Sequence, residues 1–337
     1  MEKRKLGNSD LEVSAIGLGC MGMSMGYGAT DDISSMKTLR YAIEHGINFL
    51  DTADMYGIAG SGGWGHNETL IGKVLAEGYR HKVIIATKCG FVQRKNADGG
   101  ITGVEIDGTP QHIKSACDES LKRLNLEMID LYYLHRGDRN VPIEDSVGAL
   151  SELVKAGKVR HIGLSEVKEA TLRKAAKVHP IAVLQSEYSL FHRKPEKAIL
   201  PTCRTLGIGF VPYSPLGRGF LSGKIRDISV LDPNDFRRIL PRYQDLNLEM
   251  NLKIVDTLVR LATKKNCTPA QLALAWLLFQ GKDIIPIPGT RSIDRLNENI
   301  DALDLKLTTE EFEEMNRLIP VEAVVGEQYP KEHDFEI

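Results

Sequence analysis

Eight short apolar runs, each followed by a stretch of helical periodicity, constrain this chain more than any other feature. The runs fall at 14–19, 47–52, 83–88, 129–134, 159–164, 181–186, 208–213 and 284–288. Strands that alternate with helices pair side by side in one direction, which means a parallel sheet. A count of eight, with chemistry-bearing residues at several strand ends, predicts closure into a (β/α)8 TIM barrel rather than an open sheet. Thr109-Pro110-Gln111 opens a segment with Ile113, Cys117, Leu121 and Leu124 on one stripe. Thr109 suits a helix N-cap, and Pro110 stands where the first helical N–H has no acceptor anyway. Thr268-Pro269 opens another segment, with Leu272, Trp276 and Phe279 on one face. Helices are expected to end at His45-Gly46, Ala156-Gly157 and Leu206-Gly207, where glycine accepts the left-handed turn. Arg4 to Gly17 carries the turn residues Asn8-Ser9-Asp10 between short apolar stretches, and reads as a β-hairpin capping the barrel bottom.

A barrel of this kind runs to ~250 residues or more as one domain. All 337 residues are therefore expected to form a single barrel domain, 1–337, with two long loops. These are the glycine-rich stretch Gly57–Gly65 and a segment from Leu216 to about Leu246. Loops that long inside a compact domain are usually functional. The C-terminal stretch from Val321 to Ile337 is polar and reads either as a cover for the pocket or as a disordered tail.

Composition narrows the function class. Hydrophobic residues make up 42 % and charged residues 26 %, as in a soluble enzyme. Net charge is −2 and no basic run appears, which argues against a nucleic-acid partner. The five cysteines are scattered and form no CxxC pair, so neither a disulfide framework nor a structural metal site is expected. That usage, with a polar N-terminus lacking a signal peptide, points to a reduced, cytoplasmic setting. The most apolar helix, around Leu272 to Phe279, is far shorter than the ~20 residues a bilayer requires, so no membrane association is expected. The sequons at Asn67 and Asn266 are therefore read as chance matches. No coiled coil or interface stripe indicates an oligomeric state.

Four residues carry the chemistry. Asp51, Lys88 and His135 end three of the apolar runs, and Tyr56 lies in the loop after the first of them. Strand ends of a parallel barrel converge on its C-terminal face, where active sites sit. A carboxylate, a phenol, an ammonium and an imidazole brought together there are suited to moving a proton at a carbonyl. Each has a plainer role in isolation: a helix cap, a packing aromatic, a solvated lysine, a structural histidine. Gly17-Leu18-Gly19-Cys20-Met21-Gly22 matches the dinucleotide pattern GxGxxG. A true fingerprint opens a helix directly. Met23-Ser24-Met25-Gly26-Tyr27-Gly28 follows instead, and the next helix begins only near Asp31, so a first βα loop against a cofactor is expected rather than a Rossmann turn.

The four residues, together with Leu6-Gly7, Leu11-Glu12-Val13-Ser14, Gly163-Leu164-Ser165, the stretch Val211 to Gly219 and Ile287-Pro288-Gly289-Thr290-Arg291, resemble the aldo-keto reductases. The likeness spans residues 4 to 320 and looks closest to the branch that includes perakine reductase and pyridoxal-type reductases. It implies a barrel that binds NADPH/NADP+ without a Rossmann fold and reduces a small-molecule aldehyde or ketone by hydride transfer. Tyr56 would be the general acid, with Lys88 lowering its pKa. Asp51 would pair with Lys88, and His135 would orient the substrate oxygen. Ser165 and Gln185 would hold the nicotinamide carboxamide, and Tyr213 would stack on its ring. Ser214, Pro215, Leu216, Gly217, Gly219 and Gly223 would wrap the pyrophosphate. Pro288, Gly289, Thr290, Arg291 and Arg295 would meet the 2′-phosphate, with Glu298 and Asn299 near the adenine. The family's usual Ser-Asn pair reads Ser165-Glu166, and a glutamate accepts from an amide but cannot donate to its carbonyl.

Other readings compete. Cys89, beside Lys88, is either a reactive thiol or inert packing. Trp64, His66 and Arg136 are candidates to shape the substrate pocket. Some members of the family act as cofactor-sensing binding proteins. A barrel hydrolase would use the strand-end carboxylates Asp51, Glu166 and Glu187.

Overall fold

The computed structural model describes residues 1–57 and 62–330. In chain order the elements are β1 (Lys3–Lys5), β2 (Glu12–Ser14), β3 (Leu18–Gly19), α1 (Asp32–Glu44), β4 (Phe49–Asp51), α2 (His66–Val74), β5 (Ile84–Cys89), β6 (Phe91–Lys95), β7 (Ile101–Ile106), α3 (Pro110–Leu124) and β8 (Ile129–Leu134). There follow α4 (Ile143–Lys155), β9 (Val159–Ser165), α5 (Glu169–Val178), β10 (Ile181–Glu187), α6 (Ile199–Leu206), β11 (Gly209–Tyr213), α7 (Asp245–Lys264), α8 (Pro269–Phe279), α9 (Ile293–Asp301) and α10 (Thr309–Leu318). Seven strands form one parallel sheet in the order β11-β10-β9-β8-β5-β4-β3.

The eighth apolar run is not a regular strand, yet it closes the barrel. The Ile285 and Ile287 N–H groups donate to Phe210 and Pro212 on β11, while the Pro286 and Pro288 carbonyls accept from Gly17 and Gly19 beside β3. Residues 286 and 288 face β3, and proline has no N–H to return the bond, so that edge is paired in one direction only. The first run also divides. Ser14 ends the β1–β2 hairpin, and only Leu18–Gly19 joins the barrel.

The hairpin caps the bottom as expected. Leu6, Leu11 and Val13 pack with Phe49, Ala86, Leu131, Tyr133, Val183, Val211, Ile285 and Ile287, an apolar plug filling the barrel interior. Gly7 adopts φ +57 there, and an added Cβ would lie 2.5 Å from the Gly207 carbonyl. Within the barrel, the Tyr133 ring occupies the space over Gly163, where a Cβ would meet it at 2.3 Å.

A second, larger apolar layer lies between the outer face of the sheet and the helices. Thr109 caps α3 through the His112 N–H, and Thr268 forms a capping box with Gln271. Gly46, Gly157 and Gly207 all take positive φ after their helices. Trp276 is fully buried on α8 and donates to Asn316, while Phe279 is half-exposed and stacks on Phe312. The loop predicted after Leu216 runs through short 3-10 turns to α7. Of the glycine-rich Gly57–Gly65 loop, residues 58–61 lie outside the described residues, as do 331–337 of the C-terminal stretch. Among the described residues, no helix is long and apolar enough to cross a membrane.

Candidate active site

Strand register brings the four residues together. Asp51 pairs with Ala86 across β4 and β5, and Lys88 pairs with Tyr133 across β5 and β8, one position before the strand runs out toward His135. The Lys88 side chain is fully buried. An ammonium held that way must satisfy all its donors. It donates to Asp51 Oδ1 at 2.5 Å, to the Thr52 carbonyl at 2.7 Å and to the Tyr56 hydroxyl at 3.4 Å. The second Asp51 oxygen accepts from Gln185 Nε2 at 2.7 Å. Burial opposes the Lys88 charge, but Asp51 and Tyr56 outweigh it and hold the group above the usual lysine range.

Burial pushes the Tyr56 phenol up, and the opposing pull of Lys88 is smaller. The expectation that Lys88 lowers this pKa is thus right in the sign of its own effect but not in the net direction. The group rests protonated. Burial, with Lys88 and Arg136 acting in the same sense, holds His135 well below the usual histidine range, so it is neutral at pH 7. Its ring stands edge-on to Tyr56 at 6.0 Å and to Phe91 at 4.9 Å. Its buried Nδ1 has no hydrogen-bond partner among the described residues.

Asp51, Tyr56 and His135 line one end of a cavity of about 1140 Å³. Ser165, Gln185, Tyr213, Ser214, Pro215, Leu216, Gly219, Pro288 and Gly289 follow along its wall, and Thr290, Arg291, Arg295, Glu298 and Asn299, on the turn into α9 and on α9 itself, form the far end. Gly217 and Gly223 do not line it. Gly217 packs on Phe191, and its carbonyl accepts from the Tyr243 hydroxyl. Gly223 faces Val255 and Val259 of α7. Gly19, Met21 and Gly22 do line the cavity, but only a 3-10 turn over Met21–Met23 follows β3, and α1 starts at Asp32 with Asp31 as its cap. The GxGxxG match is therefore a loop against the cavity, not a Rossmann turn.

Arg291 and Arg295 play different parts. The Arg291 guanidinium donates to the Tyr27 carbonyl at 3.0 Å and to the Ala29 carbonyl, tying the β3–α1 loop to the far end. Arg295 keeps its guanidinium without a partner among the described residues, at the start of α9 where Ser292 caps its own N–H.

Tyr329 and Arg237 line the cavity, and neither stands out in the sequence. Tyr329 bonds the Tyr213 hydroxyl at 3.0 Å and accepts from Arg218 at 2.6 Å, and Gln328 donates to Glu187 at 2.8 Å. Arg237 pairs with Asp235 and donates to the Arg218 carbonyl. A lone aromatic in a polar tail carries no periodic signal that would have marked it. Of the candidate pocket residues, Arg136 lines the cavity, whereas His66 pairs with Asp32 and neither it nor Trp64 lines it. Cys89 is buried and its thiol is pushed well up by that burial, so it is inert packing.

The hydrolase arrangement does not form. Asp51 is held by Lys88, and neither Glu166 nor Glu187 lines the cavity. Glu187 lies 3.6 Å from Arg218 and 3.4 Å from Arg242, and Glu166 accepts from the Glu187 N–H at 2.7 Å. Among the described residues there is no cluster of metal-ligating side chains.

Residues 15–320 match the model of the aldo/keto reductase family, and the chain belongs to that family. It is 45 % identical over 326 residues to "Probable aldo-keto reductase 1" of Glycine max, covering 96 % of this chain and 91 % of that protein. Its fold is similar to that of a glycerol dehydrogenase from Gluconobacter oxydans, with TM-score 0.83, 30 % identity and 94 % of each chain covered. It is also similar to a thermostable aldo-keto reductase solved with the inhibitor epalrestat, with TM-score 0.73, 28 % identity, 94 % of this chain and 100 % of that one. The protein is accordingly an oxidoreductase of carbonyl groups, from a family that works with nicotinamide cofactors.

Proposed function

We propose that the protein reduces an aldehyde or ketone to an alcohol with NADPH, and that Tyr56 is the general acid. The observation that carries this reading is Lys88 Nζ, buried and bonded at once to Asp51 and to the Tyr56 hydroxyl, at one end of the cavity. The cavity also suits the cofactor in size. Sites for a drug-sized ligand span roughly 300–1,000 Å³, so about 1140 Å³ leaves room for a dinucleotide and a small carbonyl compound together. When bound, the nicotinamide supplies a hydride to the carbonyl carbon. Tyr56 delivers the proton to the developing alkoxide, and the fixed charge of Lys88 stabilises the phenolate that remains. Neutral His135 donates to the same oxygen and orients it. Ser165 and Gln185 hold the carboxamide in this reading, and Tyr213 stacks on the nicotinamide ring; all three line the cavity. Arg295 and the N–H groups opening α9 form an anion site for a 2′-phosphate, which favours NADPH over NADH.

Titrating the intrinsic fluorescence with each nucleotide, then following NADPH consumption against aldehydes, ketones and pyridoxal, tests the reading. Pyridoxal is included because the motifs resemble the pyridoxal-reductase branch. Tight NADPH binding with turnover is the expected result. Binding without turnover on any carbonyl would favour a cofactor-sensing protein, and failure to bind either nucleotide would remove the cofactor site.

A further inference from the structure

Arg136 follows His135 directly and lines the same end of the cavity. Its Nη1 donates to the His135 carbonyl at 2.7 Å and to Ser165 Oγ at 3.1 Å. Those bonds lock the guanidinium in place. They leave the Nε and Nη2 donors without a partner among the described residues. That pair of donors is an edge by which some of this protein's other arginines grip carboxylates. Arg40 holds Glu77 through Nε and Nη2 at 2.7 Å each, and Arg193 holds Glu196 the same way at 2.7 and 2.9 Å. The neighbouring charges do not use it. Asp51 is bonded to Lys88, Glu187 lies between Arg218 and Arg242, and Glu166 is turned onto a backbone N–H and makes no ion pair with Arg136. Burial opposes the charge of the guanidinium, but Tyr213, Glu166, Tyr329 and Tyr56 together outweigh it and hold the group above the usual arginine range. The remaining wall there is apolar, with Met55, Phe91 and Val104.

We propose that the free edge of Arg136 receives a carboxylate carried by the carbonyl substrate, so that the preferred substrates are carboxylated aldehydes or oxo-acids. This deepens the reductase reading and rests on it. A planar fork meeting a carboxylate through two parallel bonds gives orientation as well as affinity. It would hold the substrate's carbonyl in one pose against Tyr56 and His135.

A matched pair isolates the charge: 4-formylbenzoate and methyl 4-formylbenzoate, assayed with NADPH on the full-length protein. The expected ratio of kcat/KM, acid over ester, is about tenfold or more, as for a hydrogen-bonded charged group. Arg136→Gln should collapse that ratio toward one, chiefly through KM for the acid. Arg136→Lys should restore only part of it, since an ammonium lacks the fork. A wild-type ratio near one, or a variant in which both substrates fall together with the ratio unchanged, would overturn the carboxylate site and leave Arg136 as a support for Ser165. Calorimetric titration of benzoate into the NADPH-loaded protein keeps this separate from the reductase reading. Benzoate binding that Arg136→Gln abolishes sustains the site even without turnover, and absence of benzoate binding in the wild type removes it.

Discussion

The two ends of the cavity are built on different principles. At the chemical end, Asp51, Lys88, His135, Ser165 and Gln185 sit on or directly after parallel strands whose ladders set their height and direction. Asp51, Lys88, Ser165 and Gln185 are each answered by another side chain, whereas His135 Nδ1 has no partner among the described residues. At the far end the wall comes from loops: 22–30, 214–239 and the turn into α9. There the links are backbone carbonyls accepting from arginines, as Tyr27 and Ala29 do from Arg291, and residues in unusual conformations. Ser214 and Arg218 have φ of +48 and +56, and Gly219 +92. Catalysis requires reacting groups held to fractions of an ångström, and strand ends provide that. Binding a long, flexible ligand requires a wall that closes over it, and loops provide that.

Variants can break this division, and the largest effect is expected at the chemical end. Tyr56→Phe removes the proposed acid and should lower kcat by roughly 10²–10⁴-fold while leaving the NADPH dissociation constant nearly unchanged. Near wild-type turnover would end the assignment. Lys88→Met leaves Asp51 buried without its cation, and denaturant unfolding should show a loss of about 3–5 kcal/mol. Adding Asp51→Asn should recover part of that loss, whereas two additive losses would show that the pair does not act as a unit.

Smaller changes are expected away from the strand ends. Arg295→Ala should weaken NADPH about tenfold, the low end for a charge-assisted contact, with little change for NADH and none in unfolding free energy. Equal weakening of both nucleotides would place the 2′-phosphate elsewhere. The smallest effect is set by Glu166, which follows β9 with φ +52. Asparagine tolerates that left-handed conformation better than glutamate. Glu166→Asn should therefore stabilise the protein by about 1 kcal/mol, and a loss of stability would mean that the bond to the Glu187 N–H outweighs the backbone strain.

Legibility in the sequence follows the same division. A strand is announced by its own apolar run, so its terminal residue can be named and its face inferred. That is why the sequence alone marks Asp51, Lys88 and His135 as neighbours. The limits were also physical. The prolines that make 284–288 an irregular closing segment read as part of an apolar run. The net direction of the Tyr56 pKa depends on how deeply the ring is buried, which no local pattern reports. Gly217 and Gly223 look like cofactor-wrapping glycines in a small-residue stretch, yet they turn toward Phe191 and α7. Which side a loop glycine faces is decided by what packs behind it.

Acting alone, the sequence determined the alternation of strands and helices, the helix caps at Thr109 and Thr268 and the set of residues delivered to the C-terminal face. All of these depend on interactions within a few residues or on a strict two- or 3.6-residue period. Only the tertiary structure decided that Arg291 ties down a loop while Arg295 stays open, that Tyr329 reaches Tyr213 from 116 residues away, and that Arg136 offers its free edge beside His135. Those outcomes depend on contacts between segments distant in the chain, and the length of an arginine or tyrosine side chain gives it many possible partners until the fold selects among them.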